Sequence, residues 1–345
     1  MNEIATIATA EPTMLAAIQT RYGGPDVVEV RQVPRPVAGP GQMLIRVHAV
    51  TLTLADCAFR KAQPFIVRFF AGWLAPKQGI LGDSISGVVE AVGPGVTRFA
   101  PGDAVFGTTN TGTGGTAEYM VAAEDAAIFH RPRGLDDAGA AGLTYSFLTA
   151  MPFIRDEGRV KPDDRVLING ASGSVGIVAV QLAKHFGAHV TGVCSSRNVE
   201  LVRSLGADAV IDYTTANFTA AREGYDVILD AVGKSSFSQC RKALKPDGIY
   251  LTTVPSLGIV YHMLTRRNEP QRARLATTGL RPLDAKKVDL IAMRELVEAG
   301  AIRAVTDRRF PLRDVQDAHR YVETERKAGD VVVEMPAALS PQIAG

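Results

Sequence analysis

Residues 165–187 read RVLINGASGSVGIVAVQLAKHFG, and this stretch decides the fold. Its first five residues form a short apolar run suited to a buried strand. Residues 175–187 form an apolar helix that ends at a glycine. Between them and into the first residues of the helix lie Gly170, Ser172, Gly173, Ser174, Val175 and Gly176. Glycines in a strand–turn–helix setting let the chain turn sharply and bring backbone N–H groups to a pyrophosphate at the helix N-terminus.

Downstream, HVTGVC, AVIDY, YDVILDAV and GIYLTTV recur with helical segments between several of them. That rhythm predicts parallel βαβ units with helices on both faces of the sheet. Residues 271–279 (QRARLATTG) offer one more strand. Upstream, VEVRQVP, QMLIRVHAV, ISGVVEAVG and AEYMVAA are separated by GGPD, GPGQ, GPGV and PGD. Short strands with few helices predict a β-barrel-like domain there. From residue 283 a helical segment, AVTDRRFPL, DVQDAHRYVE and KAGDVVVEM follow without the βαβ rhythm. This tail is expected to pack back on the first domain. The expected divisions are 1–147, 148–282 and 283–345.

Composition is consistent with this plan. The chain has 345 residues, 46% hydrophobic and 21% charged, with a net charge of +2. That length suits about two domains of ~150 residues, and the composition excludes wholesale disorder. Acidic and basic residues are interspersed, as in Asp307, Arg308, Arg309, Arg313, Asp314 and Asp317, so no basic face marks a nucleic-acid partner. Cys57, Cys194 and Cys240 lie far apart, which supports neither a disulfide framework nor a structural zinc site. The first thirteen residues lack an early basic residue and make a poor secretory signal. Residues 65–75 are too short for a membrane span. The expected location is cytoplasmic.

The second strand of the βαβ unit discriminates between cofactors. A chain built for NAD presents Asp or Glu at its end to hold the ribose hydroxyls. Here that end reads Cys194, Ser195, Ser196, Arg197, Asn198. Two hydroxyls and a guanidinium suit a 2′-phosphate, which arginine binds through charge-assisted bonds, and NADPH is therefore expected. The alternative is that Arg197 opens a solvated helix.

In ordered stretches over nearly its whole length, the chain resembles the medium-chain dehydrogenase/reductase superfamily, in its zinc-independent, quinone-oxidoreductase-like branch. The stretches include RYGGPDVVEVRQVPRP, GVVEAVGPGVTRFAPGDAVFG, the glycine turn with its flanks, YDVILDAVG and LVEAG…DRRFPL…AHRYVET. The resemblance implies an α/β chain with a GroES-like β-barrel catalytic domain built from both chain ends, and a Rossmann doubly wound parallel sheet inserted between them. It implies a site in the cleft between the domains and a homodimer. By similarity Ser174 and Val175 lie along the pyrophosphate, and Ser195, Ser196, Arg197 and Tyr213 lie around the 2′-phosphate. Ala231, Val232 and Gly233 approach the nicotinamide ribose, and Thr149 faces the nicotinamide.

Departures from the family pattern are equally informative. Zinc-dependent relatives carry a cysteine in a GVCxxD segment and a His-Glu pair in GHE. Here the corresponding stretches read Leu52-Thr53-Leu54-Ala55-Asp56 and Gly82-Asp83-Ser84, so no catalytic zinc is expected. Near the C-terminus, where relatives often have a basic residue, this chain has Gly329-Asp330. No cofactor contact is expected from that position.

Zinc acts on carbonyls as a Lewis acid. Without it, hydride addition to a conjugated acceptor is the less demanding reaction, because the charge spreads into an enolate or quinol that a few donors stabilise. The preferred substrate is thus a small apolar quinone or α,β-unsaturated carbonyl. Alternatives are a zinc-free alcohol/ketone oxidoreductase in a biosynthetic pathway and a non-catalytic NADPH-binding protein. Tyr145 and Thr53 are the candidate catalytic donors, each with a purely structural hydroxyl as the alternative. Asp56 reads as a turn or inter-strand partner, and His48 as a surface or core residue. Phe69 and Trp73, in an expected helix or lid over 65–75, and Tyr261, after a strand's C-terminal end, are candidate substrate contacts. For the aromatic segment, a barrel covering or a dimer contact is the alternative.

Overall fold

The computed structural model describes residues 12–63, 65, 67–77, 79–109, 114–220, 222, 224–265, 270–276 and 278–337. Residues 1–11, most of the stretch read as a poor secretory signal, lie outside the described residues. The apolar run at 165–169 is indeed a strand, Arg165–Asn169, and the helix after the glycine turn is Ser174–His185. Gly187, just beyond, takes φ +82°, the left-handed conformation that ends helices at low steric cost.

Among the described residues, six parallel strands form the inserted sheet in the spatial order Ala209–Asp212, His189–Cys194, Arg165–Asn169, Tyr225–Asp230, Leu244–Thr252, Arg272–Leu275. Counted from Arg165–Asn169, this is 3-2-1-4-5-6, the doubly wound order whose ligand crevice opens between strands 1 and 4 at their C-terminal ends. Those strands are Arg165–Asn169 and Tyr225–Asp230. The expected extra strand is present as Arg272–Leu275, at the sheet edge.

The second body, among the described residues, is a seven-stranded sheet built from both ends of the chain. Asp330–Glu334 lies between the parallel strand Thr306–Pro311 and the antiparallel strand Gln42–Leu52. Its core joins Met43, Ile45, Val89 and Val105 with Leu312, Val315, Val331 and Val333. The return to the first domain therefore begins in earnest at Thr306. The Leu283–Glu298 helix instead sends Leu290 and Met293 into the nucleotide-domain core with Val166, Ile168 and Val178.

Helix Asp137–Met151 runs through the expected 147/148 division and joins the two bodies. Leu143 and Phe147 enter the nucleotide-domain core. On another face Ala138 and Ala141 pack on Ala49 and Val332 of the barrel. At Gly142 a Cβ would come within 2.8 Å of the Asp330 side chain, so the helix and the returning strand approach too closely for any side chain there.

One helix in the barrel domain corrects the sequence reading. Leu54–Lys61 follows Thr53 directly, with Thr53 as its N-cap and Asp56 at the third position closing a capping box. The T-x-x-D pattern supplies the orphan N–H groups of the first turn with partners, which contributes about 1 kcal/mol. Asp56 is therefore neither a turn nor an inter-strand residue.

Candidate active site

The nucleotide end of the site is built by the glycine turn. A Cβ on Gly176 would meet the Gly170 carbonyl oxygen at 2.1 Å, and one on Gly170 would meet Val232 at 2.5 Å. A Cβ on Gly173, by contrast, would have only the Gly170 oxygen nearby, at 3.4 Å. The outer glycines are thus required by close packing, while the middle one faces open space. That is the cradle a dinucleotide pyrophosphate needs, and the residues fit the group. Ser172 is buried and accepts a hydrogen bond from Asn198 at 2.9 Å. Val175 packs against the nucleotide-domain core.

The facing turn, Ala231, Val232 and Gly233, is held by Asp230. This fully buried carboxylate accepts hydrogen bonds from the N–H groups of Val232 (3.2 Å), Gly233 (3.0 Å) and Ser235 (3.0 Å). It also accepts from Asn169 and Tyr250, both at 3.0 Å. The two turns therefore flank one crevice, as the strand order requires.

Two features at the cofactor end were not read from the sequence. The ends of strands Ala209–Asp212 and His189–Cys194 are in register, Asp212 opposite Cys194, and Ser196 donates to the Asp212 carboxylate at 2.5 Å. An acid therefore does stand at this corner, supplied by the neighbouring strand. Its hydrogen bonds from Ser196 and Thr214 hold its pKa below the ordinary carboxylate value. Arg197 reaches the backbone carbonyl of Arg326. Tyr213 is exposed, its N–H bonded to the Cys194 carbonyl at 3.1 Å, and Ser195 is the partly exposed residue leading into the 196–198 turn.

The second feature lies in the C-terminal stretch. Gly329 forms a parallel bridge with Gly173, and the Ser174 hydroxyl donates to the Gly329 carbonyl at 3.0 Å. The Lys327 ammonium meets the same Ser174 hydroxyl. Burial pushes this ammonium's pKa down, opposed by the charges of Asp330 and Asp307. A lysine thus stands at the first turn of the Ser174–His185 helix, three residues before Asp330.

At the chemical end, the structure brings Tyr145 and Thr53 together. The Tyr145 phenol lies near the Thr53 and Thr149 side chains, both of which act to lower its pKa. Burial and the charges of Asp56 and Asp330 push it up to about 12, so it remains a protonated donor at neutral pH. Thr53 is bonded to Asp56 through both its N–H (2.8 Å) and its hydroxyl (2.7 Å), each ending on the same carboxylate oxygen. Burial pushes Asp56 up to about 6, against the bonds from Thr53 and with help from the Asp83 charge. Thr149 is buried and donates its own hydrogen to the Tyr145 carbonyl at 3.0 Å.

Asp83 is engaged by the hydroxyls of Thr108 and Thr109 at 2.5 and 2.8 Å. Among the described residues no three His, Cys, Asp or Glu side chains come together as a metal-holding group. His48 bonds the barrel to the bridging helix, its Nδ1 lying 3.0 Å from Asp137.

The substrate candidates are less unified. A helix is present only over Val67–Ala71, not over the full 65–75 segment. Phe69 and Trp73 are exposed and meet edge to face, 5.3 Å between centroids. The Arg68 guanidinium lies 4.8 Å from the Tyr22 ring. Tyr261 is an exposed residue of helix Leu257–Thr265, ring to ring with His262 at 5.5 Å. That helix packs on the sheet-edge strand Arg272–Leu275. No helix among the described residues is long and apolar enough to cross a membrane.

Comparison with known proteins agrees with this geometry. Residues 39–132 match the alcohol dehydrogenase GroES-like domain, and residues 205–333 match a domain described as zinc-binding dehydrogenase. A chloroplast envelope quinone oxidoreductase homolog of Arabidopsis thaliana is 31% identical over 324 residues, covering 90% of this chain and 95% of that protein. A chloroplastic NADPH-dependent alkenal/one oxidoreductase of the same plant is 32% identical, covering 94% of this chain and 81% of that protein. The solved structure of the quinone oxidoreductase from Coxiella burnetii has a TM-score of 0.82 at 29% identity, covering 94% of this chain and all of that one. The chain belongs to the medium-chain dehydrogenase/reductase superfamily, in its quinone-oxidoreductase-like branch, and is an oxidoreductase that uses a nicotinamide cofactor.

Proposed function

We propose that this protein reduces quinones or α,β-unsaturated carbonyls with NADPH, by chemistry that requires no metal. The observation that carries the reading is the Tyr145–Thr53–Asp56 cluster. The stretch in which zinc-dependent relatives hold a metal ligand serves here to cap a helix, beside a phenol that stays neutral. A phenol of this kind is a hydrogen-bond and proton donor suited to an enolate or quinol oxygen. It is a weaker electrophile than a metal ion, so the reading favours acceptors that are already electron-poor.

The bound nicotinamide supplies the hydride. The glycine turn orients the dinucleotide through backbone N–H groups, Thr149 stands beside the phenol, and Tyr145 gives a proton to the substrate oxygen. Arg197, with Ser195 and Ser196 beside it, supports NADPH over NADH through the affinity of guanidinium for phosphate. Likeness to a quinone oxidoreductase homolog and to an NADPH-dependent alkenal/one oxidoreductase supports the same acceptor class. Family resemblance further implies a homodimer, which light scattering of the purified chain tests.

The deciding experiment measures oxidation of NADPH and NADH against quinones, enals, enones, saturated aldehydes and ketones, with products identified by mass. Preferential turnover of conjugated acceptors with NADPH is expected. Efficient reduction of saturated carbonyls with no turnover of quinones or enones would overturn the acceptor assignment.

A further inference from the structure

We propose that the aromatic knob within residues 65–77, with Arg21 beside it, docks this protein on the surface of a bilayer that carries anionic lipid. The contact is separate from the chemistry and holds whichever acceptor is reduced.

Phe65, Phe69, Trp73 and Leu74 are 58, 63, 55 and 85% exposed, although large apolar side chains clustered on one surface mark an interaction site when they stay open to water. The same exposure leaves Phe69 and Trp73 without the walls that a substrate pocket puts around its lining. The cluster is nevertheless built. Its three rings meet edge to face, with centroids 6.4 Å (Phe65–Phe69), 5.4 Å (Phe65–Trp73) and 5.3 Å (Phe69–Trp73) apart. The Tyr22 hydroxyl donates to the Gly72 carbonyl at 2.6 Å, and the Arg68 guanidinium donates to the Trp73 carbonyl at 2.9 Å. Gly72 takes φ +128°, and a Cβ there would meet the Ala75 carbonyl oxygen at 2.1 Å. The turn that presents Trp73 and Leu74 therefore requires glycine.

Charge decides what covers the knob. Residues 12–25 and 57–82 hold Arg21, Arg60, Lys61, Arg68 and Lys77 and no acid, in a chain of 38 basic and 36 acidic residues. The fold sets these two stretches side by side. The Gln19 N–H donates to the Gly79 carbonyl at 2.7 Å, and the Gly23 N–H to the Arg60 carbonyl at 3.2 Å. Glu323, at the end of helix Val315–Glu323, pairs with Arg60 and Lys61. Among the described residues Arg21, Arg68 and Lys77 have no carboxylate partner.

Exposed aromatic and aliphatic groups beside unpaired cations suit the headgroup level of a membrane, where the rings enter the acyl boundary and the cations meet lipid phosphate. Each cation held near an anionic surface adds about fivefold to the affinity. A second copy of this chain is a poorer occupant. In a two-fold contact the same patch meets itself, which would set Arg21, Arg68 and Lys77 against their own like charges.

Trp73 is the only tryptophan of the chain, so its fluorescence reports on the knob directly. The test titrates the whole chain with vesicles of phosphatidylcholine alone and of phosphatidylcholine mixed equally with phosphatidylglycerol. With the mixed vesicles, Trp73 emission should shift to the blue and be quenched by brominated acyl chains, and protein should sediment with lipid. Vesicles of phosphatidylcholine alone should bind at least about tenfold more weakly, and salt should weaken binding to the mixed ones. Lys77→Gln should cost about fivefold and Leu74→Ser about tenfold in vesicle affinity. Both side chains are exposed, so thermal stability and cofactor affinity should stay unchanged. Emission unmoved by the mixed vesicles overturns the proposal, and so does sedimentation with lipid while Trp73 remains in water. Equal binding to the two kinds of vesicle, or binding untouched by Leu74→Ser, overturns it as well. If sedimentation velocity instead shows a dimer that Leu74→Ser dissociates, the knob is a contact between copies and the bilayer assignment falls.

Discussion

The Lys327 ammonium rests on the Ser174 hydroxyl, so a residue of the returning chain end sits on the first turn of the nucleotide-domain helix. A pyrophosphate is common to NADH and NADPH. Lys327→Met is therefore expected to weaken both cofactors by a similar factor, roughly tenfold for one charge-assisted contact. Fluorescence titration of each cofactor checks this. Loss of one cofactor alone would place Lys327 elsewhere than on the pyrophosphate.

Arg197 should behave differently. Its substitution by Ala is expected to reduce NADPH affinity by about ten- to a hundredfold, leaving NADH nearly unchanged, because a guanidinium recognises the extra phosphate. The Asp212 carboxylate that holds Ser196 works in the opposite direction. Asp212→Asn should accordingly raise the NADPH/NADH preference. Ratios of kcat/KM for the two cofactors read both effects.

Gly173→Ala isolates cofactor approach from folding. The added methyl meets nothing closer than 3.4 Å, and φ of −79° is ordinary for alanine. Thermal stability should be nearly unchanged, while the methyl stands where the pyrophosphate must come and costs at least about tenfold in affinity. Gly176→Ala, whose Cβ would lie 2.1 Å from a carbonyl oxygen, should instead destabilise the fold itself.

Asp137 joins the bridging helix to the barrel. Burial alone would push it up, but hydrogen bonds from His48 and Ser86 and the Arg131 charge hold it at about 2. A carboxyl depressed below its ordinary 3.8 contributes stability that is present above that value and lost as pH falls toward the folded one. Asp137→Asn is expected to cost about 2 kcal/mol at pH 7. The difference from wild type should shrink steadily between pH 4 and pH 2, as denaturant unfolding at several pH values would show.

What the sequence made legible was chiefly what local pattern encodes. The glycine turn, its flanking strand and helix, and the spacing of the later strands led directly to the doubly wound sheet and its crevice. The Thr53-x-x-Asp56 cap was equally present in the letters, but it was hidden inside a region whose other segments alternate as strands. Contacts closed by tertiary structure were not legible. Asp212 reaches Ser196 because two strands end in register. Lys327 reaches Ser174 across 153 residues of chain, and no periodicity records that meeting. The candidate donors Tyr145 and Thr53 stand far apart in the letters, and only the fold brings them near one another and places Thr53 on the buried Asp56.

The bridge between Gly173 and Gly329 bears on how such a chain can be re-engineered. Asp330–Glu334 is an interior strand of the barrel sheet, and the residue just before it is seated on the glycine turn of the other body. The nucleotide-binding half is therefore not an interchangeable cassette. A chimera that transplants a foreign half with a different turn inherits a mismatched seam at Ser174, and swapped halves should be exchanged together with residues 326–330.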